Sequence, residues 1–283
     1  MFALADAAIH YGAAGTDHPP LVLVHGGMCD HRDWDRLVPL LAGHHAVIRL
    51  DLRGHGRSTG DPAGCTVPGW AADLLALVDG LGLRRPVLVG HSLASRIVAE
   101  AAASRPAAIG GVVLVDGSRS HGGLARPAPA DPPPPPGIDA VIEATIGPHA
   151  DPQARAAVRA RMAGASLETM TACVTAMRDW DLGRADAAFA ALADAVPVLA
   201  VQSTYHDPAT PRHSLTDSAA STPWLDFLRA AVPQKVIGDL LGWHIATGAD
   251  GLAFEREPRA CEIAREAEVA DFHGAVFGEE QVR

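Results

Sequence analysis

The fold of this chain is decided by residues 86–94, which have the sequence PVLVGHSLA. Their first half is a short, unbroken apolar run of the kind that forms a buried strand, and the residues that follow have helical character. Gly90 and Ala94 are small residues two positions before and two positions after Ser92, where a sharp, strained turn has little room for larger side chains. We therefore predict a strand, a tight turn at Ser92, and a helix that begins near Leu93.

Three more apolar runs flank this stretch in the sequence: Leu21–Val24, Ala46–Leu50 and Gly111–Val115. Each run is short, unbroken and rich in branched aliphatic residues, which is typical of strands buried on both faces of a parallel sheet. A segment with helical spacing, roughly 69–80, lies between two of them. Strands that alternate with helices predict an α/β fold with a doubly wound, mostly parallel sheet.

Residues 119–195 interrupt this alternation and contain no strand-like run. Residues 126–137 are rich in proline and predict a stiff linker. Four segments with helical character follow the linker: 138–146, 152–162, 167–178 and 185–195. We interpret 119–195 as an inserted helical cap, and 1–118 together with 196–283 as the core.

After the insertion, the sequence returns to the pattern of the core. Apolar runs at 196–201 and near 235–241 predict further strands. Residues 204–223 are polar, contain several prolines and predict a long loop. The residues from about 249 onwards predict a closing helix and a tail.

The composition of the 283-residue chain argues against several classes of function. A formal net charge of −10 disfavours nucleic acid and anionic membrane surfaces as partners. The sequence contains neither an apolar run of about 18 residues nor a signal-peptide pattern at its start. Its four cysteines are scattered without a CxxC pair, which favours a reducing compartment, and we expect a cytoplasmic protein.

The fourteen histidines invite a search for metal ligands. None of them shows the H-E-x-x-H pattern or a similar ligand spacing, so we expect no metal site. We expect His25, His55 and His91 to hold backbone groups within turns. No phosphate-binding or redox motif occurs either, and we expect no cofactor.

Four motifs in addition to the Ser92 turn resemble those of the α/β-hydrolase superfamily. Residues 25–28 (HGGM) follow a strand as the family's oxyanion loop does, and residues 51–58 (DLRGHGRS) match its D-x-R-G-x-G-x-S stretch. Residues 114–116 (LVD) end a strand before the insertion, and residues 242–244 (GWH) stand in the place of the family's late histidine. The resemblance covers most of the chain, and the order and spacing of the five motifs make it specific.

The resemblance implies a catalytic serine and histidine, with two backbone amides as an oxyanion hole. Ser92 is then the nucleophile and His244 the general base that takes its proton. The amide of Gly27 or of Met28, together with that of Leu93, would stabilise the tetrahedral oxyanion.

The third member of the triad has two candidates. Asp207 lies in the loop where most of the family places its acid, and Asp116 follows a strand where some relatives place theirs. Both candidates stay open. For the substrate pocket we select Met162, Trp180 and Tyr205, although the two cap residues among them fit the packing of a helical core equally well.

The expected activity is therefore hydrolysis of a carboxylic ester or lactone through an acyl-enzyme intermediate. One alternative is hydrolysis of a carbon–carbon bond or a thioester on the same fold. Another, from a different class, is a ligand receptor of this fold with little turnover. The expected partner is a small-molecule ester or lactone, with no nucleic acid and no membrane; the oligomeric state is left open.

Overall fold

A computed structural model describes residues 1–119, 152–162, 164–193, 195–201, 204–207, 210–214, 223–232, 243–248 and 251–256. The strands in chain order are β1 (Phe2–Ala3), β2 (Ala7–Ile9), β3 (Tyr11–Ala14), β4 (Leu21–Val24), β5 (Val47–Leu50), β6 (Thr59–Gly60), β7 (Val87–His91), β8 (Gly111–Val115), β9 (Val198–Val201), β10 (Thr204–Asp207), β11 (Thr210–Ser214), β12 (Trp243–Gly248) and β13 (Gly251–Arg256). The α-helices are α1 (Val38–Leu41), α2 (Val67–Gly80), α3 (Ala94–Ser104), α4 (Pro152–Met162), α5 (Leu167–Gly183), α6 (Ala185–Leu192) and α7 (Pro223–Ala231). Short 3-10 turns lie at His31–Trp34, Pro62–Gly64 and Pro106–Ala108.

The central sheet contains six strands in the order β3-β5-β4-β7-β8-β9. The last five run parallel to one another, and β3 pairs antiparallel with β5 at one edge. Because the strands are parallel, the loops that follow β4, β5, β7 and β8 all leave from the same edge of the sheet. That edge carries the candidate site.

Both faces of the sheet are buried, as the unbroken apolar runs predict. Alternate side chains of one strand enter two separate clusters: Val22 and Val24 pack on one face, Leu21 and Leu23 on the other. The first face is covered by α2 and α3 and by aromatic side chains of the later helices. The second face packs against Trp34 and the residues that follow it.

The fold class predicted from the sequence is confirmed. Two predicted strands, Leu21–Val24 and Gly111–Val115, have the bounds that their apolar runs indicate, and the helix predicted at 69–80 begins at Val67. Thr66 caps that helix by accepting a hydrogen bond from the amide of Gly69 at 3.0 Å.

Three of the four helical segments predicted within 119–195 are present as α4, α5 and α6. The fourth, 138–146, and the proline-rich stretch 126–137 lie outside the described residues, as does the strand predicted near 235–241. The division into core and cap stays a prediction.

Two predictions for the later part of the chain are wrong. The stretch 204–223 is not a loop throughout, because β10 and β11 form an antiparallel hairpin within it. The helix predicted from 249 onwards does not begin there, because β13 pairs with β12 over the full length of both strands. Gly248 and Gly251 flank a two-residue stretch, a turn signal that the helical interpretation missed.

Candidate active site

Ser92 lies at a strained turn between β7 and α3. Its φ angle is +52°, which L-residues rarely adopt. A Cβ atom on Gly90 would lie 2.4 Å from the carbonyl oxygen of Ala94, so the turn requires glycine there. The Ser92 amide donates to the Val115 carbonyl at 2.9 Å, and the hydroxyl of Ser95 donates to the Gly90 carbonyl at 3.0 Å. These bonds hold the strained turn in place, and strain of this kind clusters at functional sites.

The loop after β4 runs directly past this turn. A Cβ atom on Gly26 would lie 3.4 Å from the Cβ of Ser92, and one on Gly27 would lie 3.4 Å from a side-chain methyl of Leu93. Met28, the next residue, has a φ angle of +62°. The structure therefore brings the predicted oxyanion loop and the predicted nucleophile together.

Leu93 lies at the N-terminal end of α3, with its side chain buried. The first helical donors are the amides of Ser95 and Arg96, which bond to the carbonyls of Ser92 and Leu93. The Leu93 amide precedes them, at the positive end of the helix dipole, where an oxyanion is stabilised.

Two of the three turn histidines hold backbone groups, as predicted. His25 accepts a hydrogen bond from the Leu52 amide at 3.0 Å through Nε2, and its Nδ1 donates to the Gly26 carbonyl at 2.7 Å. His55 donates through Nδ1 to the Arg53 carbonyl at 3.1 Å. Burial lowers the pKa of His25, and burial together with the nearby His25 lowers the pKa of His55 to about 4, so both rings are neutral at pH 7.

Cys173 of α5 joins the predicted oxyanion loop, Gly26–Met28, to His55. Its sulfur lies 3.4 Å from the position that a Gly27 Cβ would take and 3.5 Å from Nε2 of His55. Because Nδ1 of His55 carries the proton, Nε2 accepts, and the thiol is the donor. Burial raises the pKa of the thiol to about 12, against the opposing effect of the Met28 amide, which faces the sulfur. The sulfur lies beside both Gly27 and Met28, and both residues stay candidates for the loop's oxyanion donor.

The DLRGHGRS motif has a structural role in this fold. The guanidinium of Arg53 bonds in a bidentate manner to Asp73, at 2.9 and 2.7 Å, and also to Asp6. The hydroxyl of Ser58 donates to the Asp51 carbonyl at 2.7 Å. The motif therefore fixes the turn after β5 next to the oxyanion loop.

The two candidate acids lie in different parts of the structure. Asp116 follows β8 directly with a φ angle of +45°, and its amide donates to the Val201 carbonyl at 2.7 Å. The Ser92 amide donates to the carbonyl of Val115, the residue before Asp116. Asp116 and Ser92 therefore lie at the ends of neighbouring strands. Asp207 is the last residue of β10, opposite Thr210, and its side chain lies outside the described residues. Both candidates therefore stay open.

The backbone of His244, the candidate base, lies within a strand. It is the second residue of β12, opposite Glu255 of β13. β12 lies next to α4, and β13 lies next to the turn at His31–Trp34. The side chain of His244 lies outside the described residues, so its pairing with Ser92 stays a prediction.

The three residues selected for substrate contact lie in different surroundings. Trp180 is 3% exposed, and its indole N–H donates to the carboxylate of Glu100 at 2.8 Å. Trp180 thus joins α5 to α3, and it also lines a cavity of about 270 Å³ beside the start of α2, so its contact with substrate stays a prediction. Met162 ends α4 with its side chain buried. Tyr205 lies on β10 opposite His213, with its side chain outside the described residues.

A cavity of about 410 Å³ opens beside Met28, between the loops at the sheet edge and the helices α4 and α5. Its charged lining comprises Asp30, Arg32 and Arg161. Arg161 of α4 pairs at 3.1 Å with Asp33, which is itself buried. Among the described residues, neither Met162 nor Trp180 lines this cavity. Sequence reasoning missed Arg161 and Cys173, because nothing in a helical pattern distinguishes a residue that reaches the site from one that packs.

Comparison with known proteins agrees with this geometry. A family model of the alpha/beta hydrolase fold matches residues 19–143. Over this stretch, which is less than half of the chain, the sequence is similar to that family, and the chain has the α/β-hydrolase fold. The match takes in the oxyanion loop, the Ser92 turn and Asp116.

The sequence also matches individual proteins over part of its length. The chain is 38% identical to a non-heme chloroperoxidase of Streptomyces lividans over 101 residues, which are 35% of this chain and 37% of that protein. The chain spans about a third of the length of the curated relatives that it matches.

Two solved structures share the fold at low sequence identity. A bromoperoxidase from Bacillus anthracis has a TM-score of 0.65 and 21% identity, with 96% of this chain and 92% of that chain covered. The enol-lactonase from Burkholderia xenovorans has a TM-score of 0.62 and 22% identity, with 82% and 87% covered. In the part of the chain that the structure describes, no helix is long and apolar enough to cross a membrane.

Proposed function

We propose that this protein is a serine hydrolase that cleaves a carboxylic ester or a lactone through an acyl-enzyme intermediate. The observation that carries the proposal is the strained turn at Ser92, with a φ angle of +52°, against which the Gly26–Met28 loop packs. A serine raised on such a turn, beside backbone amides at a helix N-terminus, is the arrangement that acyl transfer needs. The lactonase neighbour supports a lactone as one substrate class.

In the proposed reaction, the Ser92 oxygen attacks the substrate carbonyl carbon while His244 takes the hydroxyl proton. The amide of Gly27 or of Met28, together with that of Leu93, stabilises the oxyanion of the tetrahedral intermediate. The bond between the carbonyl carbon and the alkoxy oxygen then breaks, and the proton passes from His244 to that oxygen. Water adds to the acyl-serine with His244 as base, which releases the carboxylic acid and returns the proton to Ser92.

A labelling experiment with a fluorophosphonate probe tests the nucleophile. We expect the folded protein to be modified at Ser92, and we expect the Ser92→Ala variant to resist labelling and to lose hydrolysis of p-nitrophenyl esters. Ser104→Ala, at the exposed end of the same helix, is the matched control and keeps both properties. A folded protein that neither reacts with the probe nor turns over any ester or lactone, yet binds a small ligand saturably, contradicts the proposal and supports a receptor.

Two variants, Asp116→Asn and Asp207→Asn, distinguish the candidate acids. The acid orients the histidine, so replacing the true one lowers kcat by about 10⁴, whereas replacing the other has a much smaller effect. Equal, mild losses in both variants contradict both assignments. The same assay with His244→Gln tests the proposed base, and activity close to that of the wild type would remove it from the mechanism.

A further inference from the structure

Three potential metal ligands converge at the edge of the sheet beside β3. His10 immediately precedes β3, His31 begins the 3-10 turn after the oxyanion loop, and Asp51 immediately follows β5. One ligand atom from each lies within 4.8 Å of the other two. The residues are far apart in sequence, so the fold alone brings them together.

Both imidazole rings direct Nδ1 towards one carboxylate. Nδ1 of His31 lies 2.8 Å from Oδ1 of Asp51, and Nδ1 of His10 lies 3.2 Å from Oδ2. The ring centroids of the two histidines are 4.6 Å apart. Nδ1 of His10 is buried and has no hydrogen-bond partner, because its approach to Asp51 lacks hydrogen-bond geometry. A buried ring nitrogen without a partner needs an explanation, and a bound cation would supply one.

The carboxylate itself is held rigidly by backbone groups. The amide of His31 donates to Oδ1 of Asp51 at 2.7 Å, and the amide of Arg57 donates to Oδ2 at 2.9 Å. A Cβ atom on Gly56 would lie 2.4 Å from Oδ2, so the turn closes tightly over the carboxylate. Carboxylates that ligate metals are commonly oriented by hydrogen bonds of this kind.

We propose that His10, His31 and Asp51 form a binding site for a divalent transition-metal ion such as Zn²⁺. Two imidazole nitrogens and one carboxylate oxygen form a donor set that Zn²⁺ accepts, with a water molecule as fourth ligand. Metal–ligand bonds of about 2.1 Å in a tetrahedral site place ligand atoms about 3.4 Å apart. The 2.8 Å separation is a hydrogen bond between His31 Nδ1 and Asp51 Oδ1, which the ion would replace with release of the shared proton, and both separations, 2.8 and 3.2 Å, would lengthen slightly.

The site would join three chain segments that otherwise meet through hydrogen bonds alone. His31 lies three residues after Met28, so an ion bound there would hold the end of the oxyanion loop against β3 and the turn after β5. Its role is structural in this proposal, and the proposal does not depend on the hydrolase activity.

Zinc titration of the chelator-treated, full-length protein tests the site. By calorimetry we expect one Zn²⁺ ion to bind per chain and to raise the Tm of the protein. His10→Asn and His31→Asn should each weaken binding by at least about tenfold, since each removes a ligand nitrogen. His44→Asn is the matched control, because it changes an exposed histidine in the same way, and it should bind Zn²⁺ as the wild type does.

Cobalt substitution identifies the ligand atoms independently of the variants. We expect the visible absorption of Co²⁺ with nitrogen and oxygen ligands, without a thiolate charge-transfer band. A thiolate band would assign the ion to a cysteine and overturn the proposal. Binding that is not saturable, or that is equally strong in a folded His10→Asn or His31→Asn protein, would overturn it as well. If one variant does not fold, the other variant and the Co²⁺ spectrum still decide.

Discussion

The helix α5 meets the rest of the protein at two junctions whose chemistry differs. In its first half, Thr169 and Cys173 contact the turn at Gly54–His55 and the oxyanion loop through neutral groups. In its second half, Asp181 forms a buried, bidentate ion pair with Arg96 of α3, at 2.8 and 2.7 Å. We call these the neutral junction and the charged junction.

The two junctions have different roles: the charged junction holds α5 on the core, and the neutral junction contacts the loop beside Ser92. The charged junction reaches the helix that begins after Ser92, and a buried ion pair is costly to break because it leaves a charge without a partner. Trp180 and Arg184 strengthen it through the carboxylate of Glu100. The neutral junction contacts the Gly26–Met28 loop with a thiol, a weak hydrogen-bonding group, so we expect it to position the loop at small energetic cost.

Breaking the charged junction has the largest expected effect on the free energy of unfolding. In Asp181→Ala, the guanidinium of Arg96 stays buried without its carboxylate, which should lower the free energy of unfolding by about 3–5 kcal/mol. Urea denaturation measures the change. Asp179→Ala removes an exposed ion pair with Arg178 on the same helix and should cost at most about 1 kcal/mol. Similar losses in the two variants would show that the junction does not anchor α5.

Acid should weaken the neutral junction through His55. Its pKa is about 4 in the folded protein and about 6.5 in an unfolded chain, so the unfolded state binds more protons between these values. Stability that is present above pH 6.5 is therefore lost as the pH falls towards 4, by roughly 3 kcal/mol in total. Urea denaturation at several pH values measures this loss.

The control for this prediction is His55→Asn, which removes the titrating ring. Its stability should fall less steeply than that of the wild type between pH 6.5 and 4. An identical pH dependence in the two proteins would exclude His55 as the cause.

Replacing Cys173 should have the smallest effect on stability and a distinct effect on catalysis. Cys173→Ala removes both the bond to His55 and the contact with the Met28 amide, so the loop shifts and the rate of acylation falls on the order of tenfold. The free energy of unfolding should fall by only about 1 kcal/mol. Rapid-mixing kinetics with a p-nitrophenyl ester separates acylation from binding.

Cys173→Ser is the conservative partner of this variant, since a hydroxyl donates and accepts in the same place. It should recover most of the acylation rate. A KM that rises while kcat is unchanged, or a serine variant as slow as the alanine variant, would contradict a positioning role for Cys173.

The features that sequence reasoning predicted correctly are local ones. The turn at Ser92 follows from Gly90 and Ala94, because backbone strain there depends on residues within two positions. Buried strands such as β4 and β8 follow from unbroken apolar runs. The hairpin of β12 and β13 was missed, because its strands lack a clear alternation of apolar and polar residues and the stretch after 249 was interpreted as a helix.

The features that sequence reasoning could not predict depend on residues far apart in the chain. Cys173 and His55, or Arg96 and Asp181, become partners only when α5 packs on the core. No spacing rule connects such residues, because their separation in the chain is set by the lengths of intervening elements.

By itself, the amino-acid sequence determined the parallel sheet, the order of its strands along the chain and the strained serine turn, since each depends on hydrophobic period or on small residues a few positions apart. Only the tertiary structure decided that His10, His31 and Asp51 meet, that Trp180 packs on α3, and that a thiol lies against the Gly26–Met28 loop. The physical reason is that side chains from distant segments come within bonding distance only after the sheet edge and its helices have packed.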